Sequence, residues 1–255
     1  MTDALTGRTV LVTRPPQQAA ALSQAIRAAG GEAYEFPALT IEAVAPETLR
    51  AALDALPAAD LTLFISPNAA RRGTAALRSA SRLPLSGTVF AVGAGTAQAL
   101  QAEGVAEVIA PAGQDSEALL ALPQLQTVAG KRVVIVRGVG GRALLADTLR
   151  ARGAEVHFLE CYRRACPQAD ATPLLRRWQA GEIDAVTITS AETLHNLASL
   201  LGEAGRPLLT HTPLFAPHEK IAAAARQFGI PDVVATAGGD AGLVDGLINW
   251  FRNTR

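Results

Sequence analysis

Apolar residues along this chain fall into two alternating rhythms. Short runs at 9–13, 61–65, 89–92 and 133–136 are nearly continuous in aliphatic and β-branched residues and read as buried strands. Between them, apolar positions recur at helical spacing. Leu22, Ala25, Ile26 and Ala29 form one stripe stopped by Gly30 and Gly31, and Leu145, Thr148, Leu149 and Arg152 mark another stopped by Gly153. Further helices are predicted over 47–56, from the Ser66-Pro67-Asn68 turn through Leu77, after Gly95 until Gly104, and around Leu119 and Leu122 once 111–116 has led into them. Residues 33–36, 107–109 and 156–159 are predicted as further strands. Between Pro37 and Pro46 the residues Leu39, Ile41 and Ala43 alternate with period two, which predicts an extended connector rather than a packed central strand.

One strand–helix–strand unit, 131–164, occurs twice. It comprises a strand, a glycine turn at 137–141, a helix and a second strand. A shift of 123 places Val133 on Val10, Arg137 on Arg14, Leu145 on Leu22, Arg150 on Arg27, Gly153 on Gly30 and Glu155 on Glu32. The rest of the chain repeats as well. Asp184 and Ser190 fall on Asp60 and Ser66 at a shift of 124, and Phe215, Gly229, Val233, Gly238 and Asp240 fall on Phe90, Gly104, Val108, Gly113 and Asp115 at 125. Strands alternating with helices at this spacing predict parallel sheets covered on both faces, and the repeat predicts two such lobes of the doubly wound α/β class.

Composition narrows the chemistry. With 255 residues, 49% of them hydrophobic, the chain can bury two small cores. Lys plus Arg and Asp plus Glu both number 23, so no global field draws the protein to nucleic acid or to a membrane surface. An anionic ligand must therefore be held by local donors. No run approaches the length of a membrane span, and MTDALTGRTV lacks the basic and apolar regions of a signal peptide, so a soluble, cytoplasmic protein is expected. Cys161 and Cys166 are too close for a useful staple and lack zinc partners, which predicts reduced thiols. The histidines, His157, His195, His211 and His218, show no ligand spacing, so no metal is expected, and HExxH, GxSxG and P-loop motifs are absent.

Ligands of open α/β sheets sit beyond the carboxyl ends of the strands, so the polar loops there are read together. They are Thr13-Arg14, Ser66-Pro67-Asn68-Ala69, Gly93-Ala94-Gly95-Thr96, Arg137-Gly138, Ser190-Ala191-Glu192, Pro217-His218 and Thr236-Ala237-Gly238. Such loops either cap their helices or turn backbone N–H groups toward a shared carboxylate or phosphate ligand. Gly138-Val139-Gly140-Gly141, with Ala143 and Glu160, imitates a dinucleotide-binding fingerprint; its sister turn, Arg14-Pro15-Pro16-Gln17, has no glycines, which favours a plain turn. Ser66 and Ser190, without a His–Asp relay, read as donors rather than nucleophiles. Tyr162 offers a hydroxyl for proton or hydrogen-bond donation, or else packs a hinge. Arg14 and Arg137 either meet carboxylates or brace strand ends.

These residues carry a family resemblance. The strand followed by TRP near the N-terminus, SPNA at 66–69, VGAGTA at 92–97, DSEALL at 115–120, VVIVRG at 133–138, Glu160-Cys161-Tyr162-Arg163-Arg164 and TSAETL at 189–194 resemble uroporphyrinogen-III synthase from about residue 9 to 251. The resemblance implies a monomeric, cofactor-free lyase of haem and sirohaem synthesis. Its substrate would be hydroxymethylbilane, a polyanionic linear tetrapyrrole with four pyrroles and eight carboxylates, supplied by hydroxymethylbilane synthase. It would be cyclised with loss of water and inversion of ring D through a spiro-pyrrolenine. The resemblance also implies two flavodoxin-like domains, 1–37 with 167–255 and 46–157, joined by extended linker strands 38–45 and 158–166. Tyr162 would be the catalytic acid. Substrate binding would fall to Thr13, Arg14, Ser66, Asn68, Ala69, Gly93, Thr96, Ser116, Glu117, Arg137, Gly138, Ser190 and Thr236. The loop Phe215-Ala216-Pro217-His218-Glu219-Lys220 departs from the glycine-threonine form of its sister, so no glycine cradle is expected there. Two other readings compete: a NAD-type oxidoreductase built on Gly138 to Glu160, and a two-lobed non-enzymatic ligand-binding or sensor module.

Overall fold

The protein is described from a computed structural model covering residues 4–113, 115–141 and 143–254. Residues 1–3 and 255 of the expected discontinuous domain, and residues 114 and 142 of the other, lie outside the described residues. The chain divides into two units, Met1–Thr40 with Ala165–Arg255, and Ile41–Arg164.

The first unit is built on a sheet of β1 (Thr9–Val12), β2 (Glu32–Glu35), β8 (Ala185–Thr187), β9 (Leu214–Ala216) and β10 (Val233–Ala235), in the order β10-β9-β8-β1-β2, with every pair parallel. Its two faces are set by alternation along the strands. Val10, Val12, Ala185 and Phe215 meet α1 (Pro16–Ala28) and α11 (Gly239–Asn253) through Leu22, Ile26, Leu243 and Leu247. Leu11, Val186, Leu214 and Ala216 meet α8 (Thr172–Gln179), α9 (Ala191–Thr210) and α10 (Glu219–Phe228) through Leu174, Trp178, Leu194, Leu197 and Ala222. Successive side chains of a strand point to opposite faces, so each strand feeds both cores.

The second unit has the sheet order β3-β7-β6-β4-β5, from β3 (Thr40–Ala43), β4 (Leu61–Phe64), β5 (Thr88–Ala91), β6 (Arg132–Gly138) and β7 (Glu155–Ala165). Phe64, Val89, Val134, Val136 and Leu159 pack on α2 (Pro46–Ala55), α3 (Pro67–Ser79) and α4 (Ala94–Ala102). Leu61, Leu63, Phe90, Val133 and Ile135 pack on α5 (Ser116–Leu120), α6 (Pro123–Gln126) and α7 (Leu144–Ala151). Under the repeat, β6, β7, β4 and β5 correspond to β1, β2, β8 and β9, so both sheets contain the run 2-1-3-4 of the flavodoxin-like order; the first completes it with β10, whereas the second carries β3 beyond β7. The expected crossings are strands of this second sheet, with β3 at its edge beside β7. Arg163 and Glu42 hold them together at 2.8 Å.

Three local expectations are corrected. The strand at 107–109 reduces to a single bridge between Phe90 and Ile109 at the sheet edge, where Pro111 lacks the N–H to continue the ladder. The helix expected to contain Leu119 and Leu122 breaks in two, since Leu122 precedes Pro123 and is held extended with ψ 136°. The turn at Ser66 is shorter than expected. Pro67 and Asn68 already belong to α3, with proline at the helix start where no N–H is needed.

The repeat extends to the tethers between strands. Asp60 and Asp184 each precede a central strand, and each carboxylate accepts the N–H that begins the neighbouring one, Arg132 and Thr9, both at 2.8 Å. Arg8 adds an ion pair to Asp184 at 2.7 Å. The Arg132 backbone N–H, followed by the nearby guanidinium charge, holds the Asp60 carboxyl below its ordinary range. A lowered folded value means that this tether stabilises the fold above the ordinary carboxylate titration and is lost as pH falls through the lowered one. Asp184→Ala is expected to cost about 1–3 kcal/mol in urea unfolding, since it strands a buried Thr9 N–H. For Asp60→Ala, the stability difference from wild type should persist at neutral pH and shrink below about pH 4.

Candidate functional site

In a doubly wound sheet the crossovers diverge at the switch point, leaving a crevice beyond the carboxyl ends of two central strands. In the second unit that point lies between β4 and β6, and a cavity of about 430 Å³ opens there. Ser66, Ser116, Arg137, Gly138, Phe158 and Tyr162 are among its lining residues.

Each is placed by an identifiable local cause. Ser66 ends β4 in an extended conformation and caps α3, its Oγ accepting from Ala69 N at 2.9 Å. The same oxygen lies 2.9 Å from the Tyr162 hydroxyl, with either able to donate. Tyr162 is buried, reached along β7. The register between β6 and β7 slips after Arg137, pairing Arg137 with Glu160 but Gly138 with Tyr162, and Val139 N donates to Tyr162 O at 2.7 Å. The Tyr162 ring lies directly on Gly138. A Cβ there would come within 2.6 Å of Cε2, so only glycine fits beneath the ring.

Arg137 is buried and committed. Its Nε is 3.2 Å from Glu160 Oε1 and donates to Gly138 O, its Nη2 donates to Gly140 O, and its guanidinium stacks 4.6 Å from the Phe158 ring centroid. Glu160 also accepts from Gly140 N at 3.3 Å. The acidic residue of the fingerprint-like pattern is thus turned into its own glycine turn, which removes the group a dinucleotide reading needs for a ribose. Arg14, the sister residue, is likewise paired, with Asp240 at 2.5 Å. Both arginines therefore brace strand ends.

The remaining expected site residues separate by unit. Near the same carboxyl edge as the cavity, Asn68 accepts from Arg71, Ala69 is buried with its N–H taken by the Ser66 cap, Gly93 caps α4, Thr96 is buried within that helix, and Glu117 is exposed in the first turn of α5. Thr13, Arg14, Ser190 and Thr236 belong to the first unit. There the buried Thr13 hydroxyl donates to Thr187 O at 2.7 Å, Ser190 caps α9 through Thr193 N, and Thr236 Oγ1 donates to Ala237 O.

Phe158, Arg164, Asp115 and Val139 also line the cavity and were not among the site residues expected from sequence. Phe158 was detectable, since it precedes Glu160 by two residues on β7, before the register slip shifts the alternation. Cys161 points elsewhere. Burial pushes its thiol up to about 12, and its Sγ donates to Arg137 O at 3.5 Å.

Strands wound in both directions from a central pair in each unit, with a hydroxyl pair in a switch-point cavity of the second, define a doubly wound α/β protein. The family described as uroporphyrinogen-III synthase HemD matches residues 20–245. The uroporphyrinogen-III synthase of Escherichia coli (strain K12) is 39% identical over 230 residues, 88% of this chain and 93% of that one. Its counterpart in Salmonella typhimurium shows the same identity and coverage. In three dimensions, a mutant uroporphyrinogen III synthase from the extremely thermophilic bacterium Thermus thermophilus superposes with a TM-score of 0.64 at 21% identity, over 97% of this chain and 100% of that one. The Helicobacter pylori 26695 enzyme gives 0.63 at 13% identity, over 95% and 99%. These two structures bear on the fold, and the sequence matches bear on the family. The chain belongs to the uroporphyrinogen-III synthase family, whose members act in porphyrin and tetrapyrrole synthesis.

Gly138→Ala should force the Tyr162 ring off its seat and away from Ser66. An overpacking cost of about 1–3 kcal/mol is expected in thermal or urea unfolding.

Proposed function

We propose that this protein closes hydroxymethylbilane to uroporphyrinogen III, acting as a lyase. The observation that carries the reading is the Tyr162–Ser66 hydroxyl pair in a switch-point cavity, within a chain of this family. The substrate brings most of the reactivity. Its terminal pyrrole nitrogen pushes electrons toward the hydroxymethyl carbon, the C–O bond breaks, and an azafulvene forms as hydroxide departs. Tyr162 gives that hydroxide a proton, so water leaves. The substituted carbon of ring D then attacks the azafulvene methylene to give the spiro-pyrrolenine, which fragments and recloses with ring D inverted. A ring proton is lost as aromaticity returns, and it restores the Tyr162 hydroxyl. The sum is loss of one water with no change in oxidation state, so no electron carrier is required.

The protein's task on this reading is positional. Ser66, fixed by α3, holds the Tyr162 oxygen in one place, and Gly138 and Val139 hold its ring and backbone. Neither arginine buried at a strand end has charge to spare, because each is already paired with a carboxylate. Substrate carboxylates are then met by the second unit's helix-start loops at Ser66 and Ser116, which line the cavity. The protein works as a cytoplasmic monomer that receives its substrate from hydroxymethylbilane synthase.

The test is product isomer analysis with freshly made hydroxymethylbilane. Isomer III above the spontaneous rate is expected, and isomer I alone at the spontaneous rate overturns the proposal. Tyr162→Phe should lower turnover by about a hundredfold while leaving the fold intact; an unchanged rate and isomer ratio would remove Tyr162 from the mechanism.

A further inference from the structure

Among the described residues the exposed large hydrophobic side chains are Val139, 50% exposed, and Leu144, 40% exposed. They flank one turn. Val139 lines the switch-point cavity, and Leu144 opens α7, whose next residues, Leu145 and Ala146, also line it. Single exposed apolar residues are ordinary, but here one of them, Val139, lines the cavity that holds the hydroxyl pair, and the other opens the helix whose next two residues line it.

The turn is also held in shape. Gly140 and Gly141 take φ of 74° and 102°, a conformation that favours glycine. Gly138 O and Gly140 O accept from Arg137, Gly140 N donates to Glu160, and Val139 N donates to Tyr162 O. The partly buried ion pair satisfies polar groups of the turn. Val139 is therefore fixed outward over the cavity and does not fold into the core.

We infer that Val139 and Leu144 form an apolar lip that receives the face of a pyrrole ring, with the Arg137–Glu160 pair as the positioning element that shapes it. This rests on the proposed tetrapyrrole substrate and adds to it the group that recognises the rings rather than the carboxylates. Removing apolar ring area from water at such a lip strengthens binding without a specific polar partner. The lip acts on affinity, whereas the Tyr162 hydroxyl acts on the chemical step.

Uroporphyrin III, a stable ring-bearing octacarboxylate, serves as the probe in a fluorescence titration, alongside KM and kcat with hydroxymethylbilane. Val139→Ser is expected to raise the porphyrin Kd and the KM about tenfold, about 1.4 kcal/mol, with kcat changed far less. Val139→Leu should recover the porphyrin binding that Val139→Ser loses. Glu160→Gln should raise KM in the same direction, at a position that does not itself bear on the ring. Equal porphyrin affinity in wild type and Val139→Ser, or no porphyrin binding by wild type, overturns the lip. Because the titration needs no turnover, it decides the lip even if the isomer assay rejects the synthase reaction.

Discussion

The Tyr162 hydroxyl, 2.9 Å from Ser66 Oγ, closes a contact between two strand ends and a helix start on which the second unit's cavity depends. Few alternatives satisfy the same set of constraints. The ring needs a bare backbone beneath it, which Gly138 supplies, and its backbone carbonyl needs a donor, which the register slip brings in as Val139 N. The slip leads into a turn of left-handed glycines, whose backbone groups are met by Arg137 and Glu160. The Arg137–Glu160 pair is only partly buried, so it shapes the turn through its hydrogen bonds more than through charge attraction.

The duplicated unit shows what is specific to the site and what is scaffold. Both units keep the strand tethers of Asp60 and Asp184, and both keep a serine cap at the equivalent helix, Ser66 and Ser190. At the shift of 123, however, Gly138 falls on Pro15, Glu160 on Pro37 and Tyr162 on Leu39. The first unit thus has the cap without the tyrosine, the glycine seat or the acidic partner. Its arginine is braced from a different direction, by Asp240 in α11. The tyrosine hydroxyl belongs to one copy, and the common frame belongs to both.

Much of the fold was legible because it is local. Continuous apolar runs marked the buried strands, helical stripes ended where Gly30, Gly104 and Gly153 end them, and the repeat predicted two doubly wound lobes. The failures came where neighbours decide. Residues 107–109 have strand-like composition but one partner, and Leu122 continues a helical stripe that Pro123 forbids. At the site, the positions of Ser66, Gly138 and Tyr162 could be named from sequence, but not their contacts. Arg137 could not be separated from a ligand-binding arginine, because its partner Glu160 is 23 residues further along and meets it only through strand pairing. Val139 carried no signal, since an apolar residue after a strand reads as buried.

The central claim is that Tyr162 and Ser66 act as one unit in the reaction, and a double-mutant cycle on isomer III formation tests it most directly. Ser66→Ala and Tyr162→Phe should each slow the reaction, and the double variant should be no slower than Tyr162→Phe alone, because the serine acts through the tyrosine. Losses that multiply in the double variant would show two independent contributions and would contradict that claim.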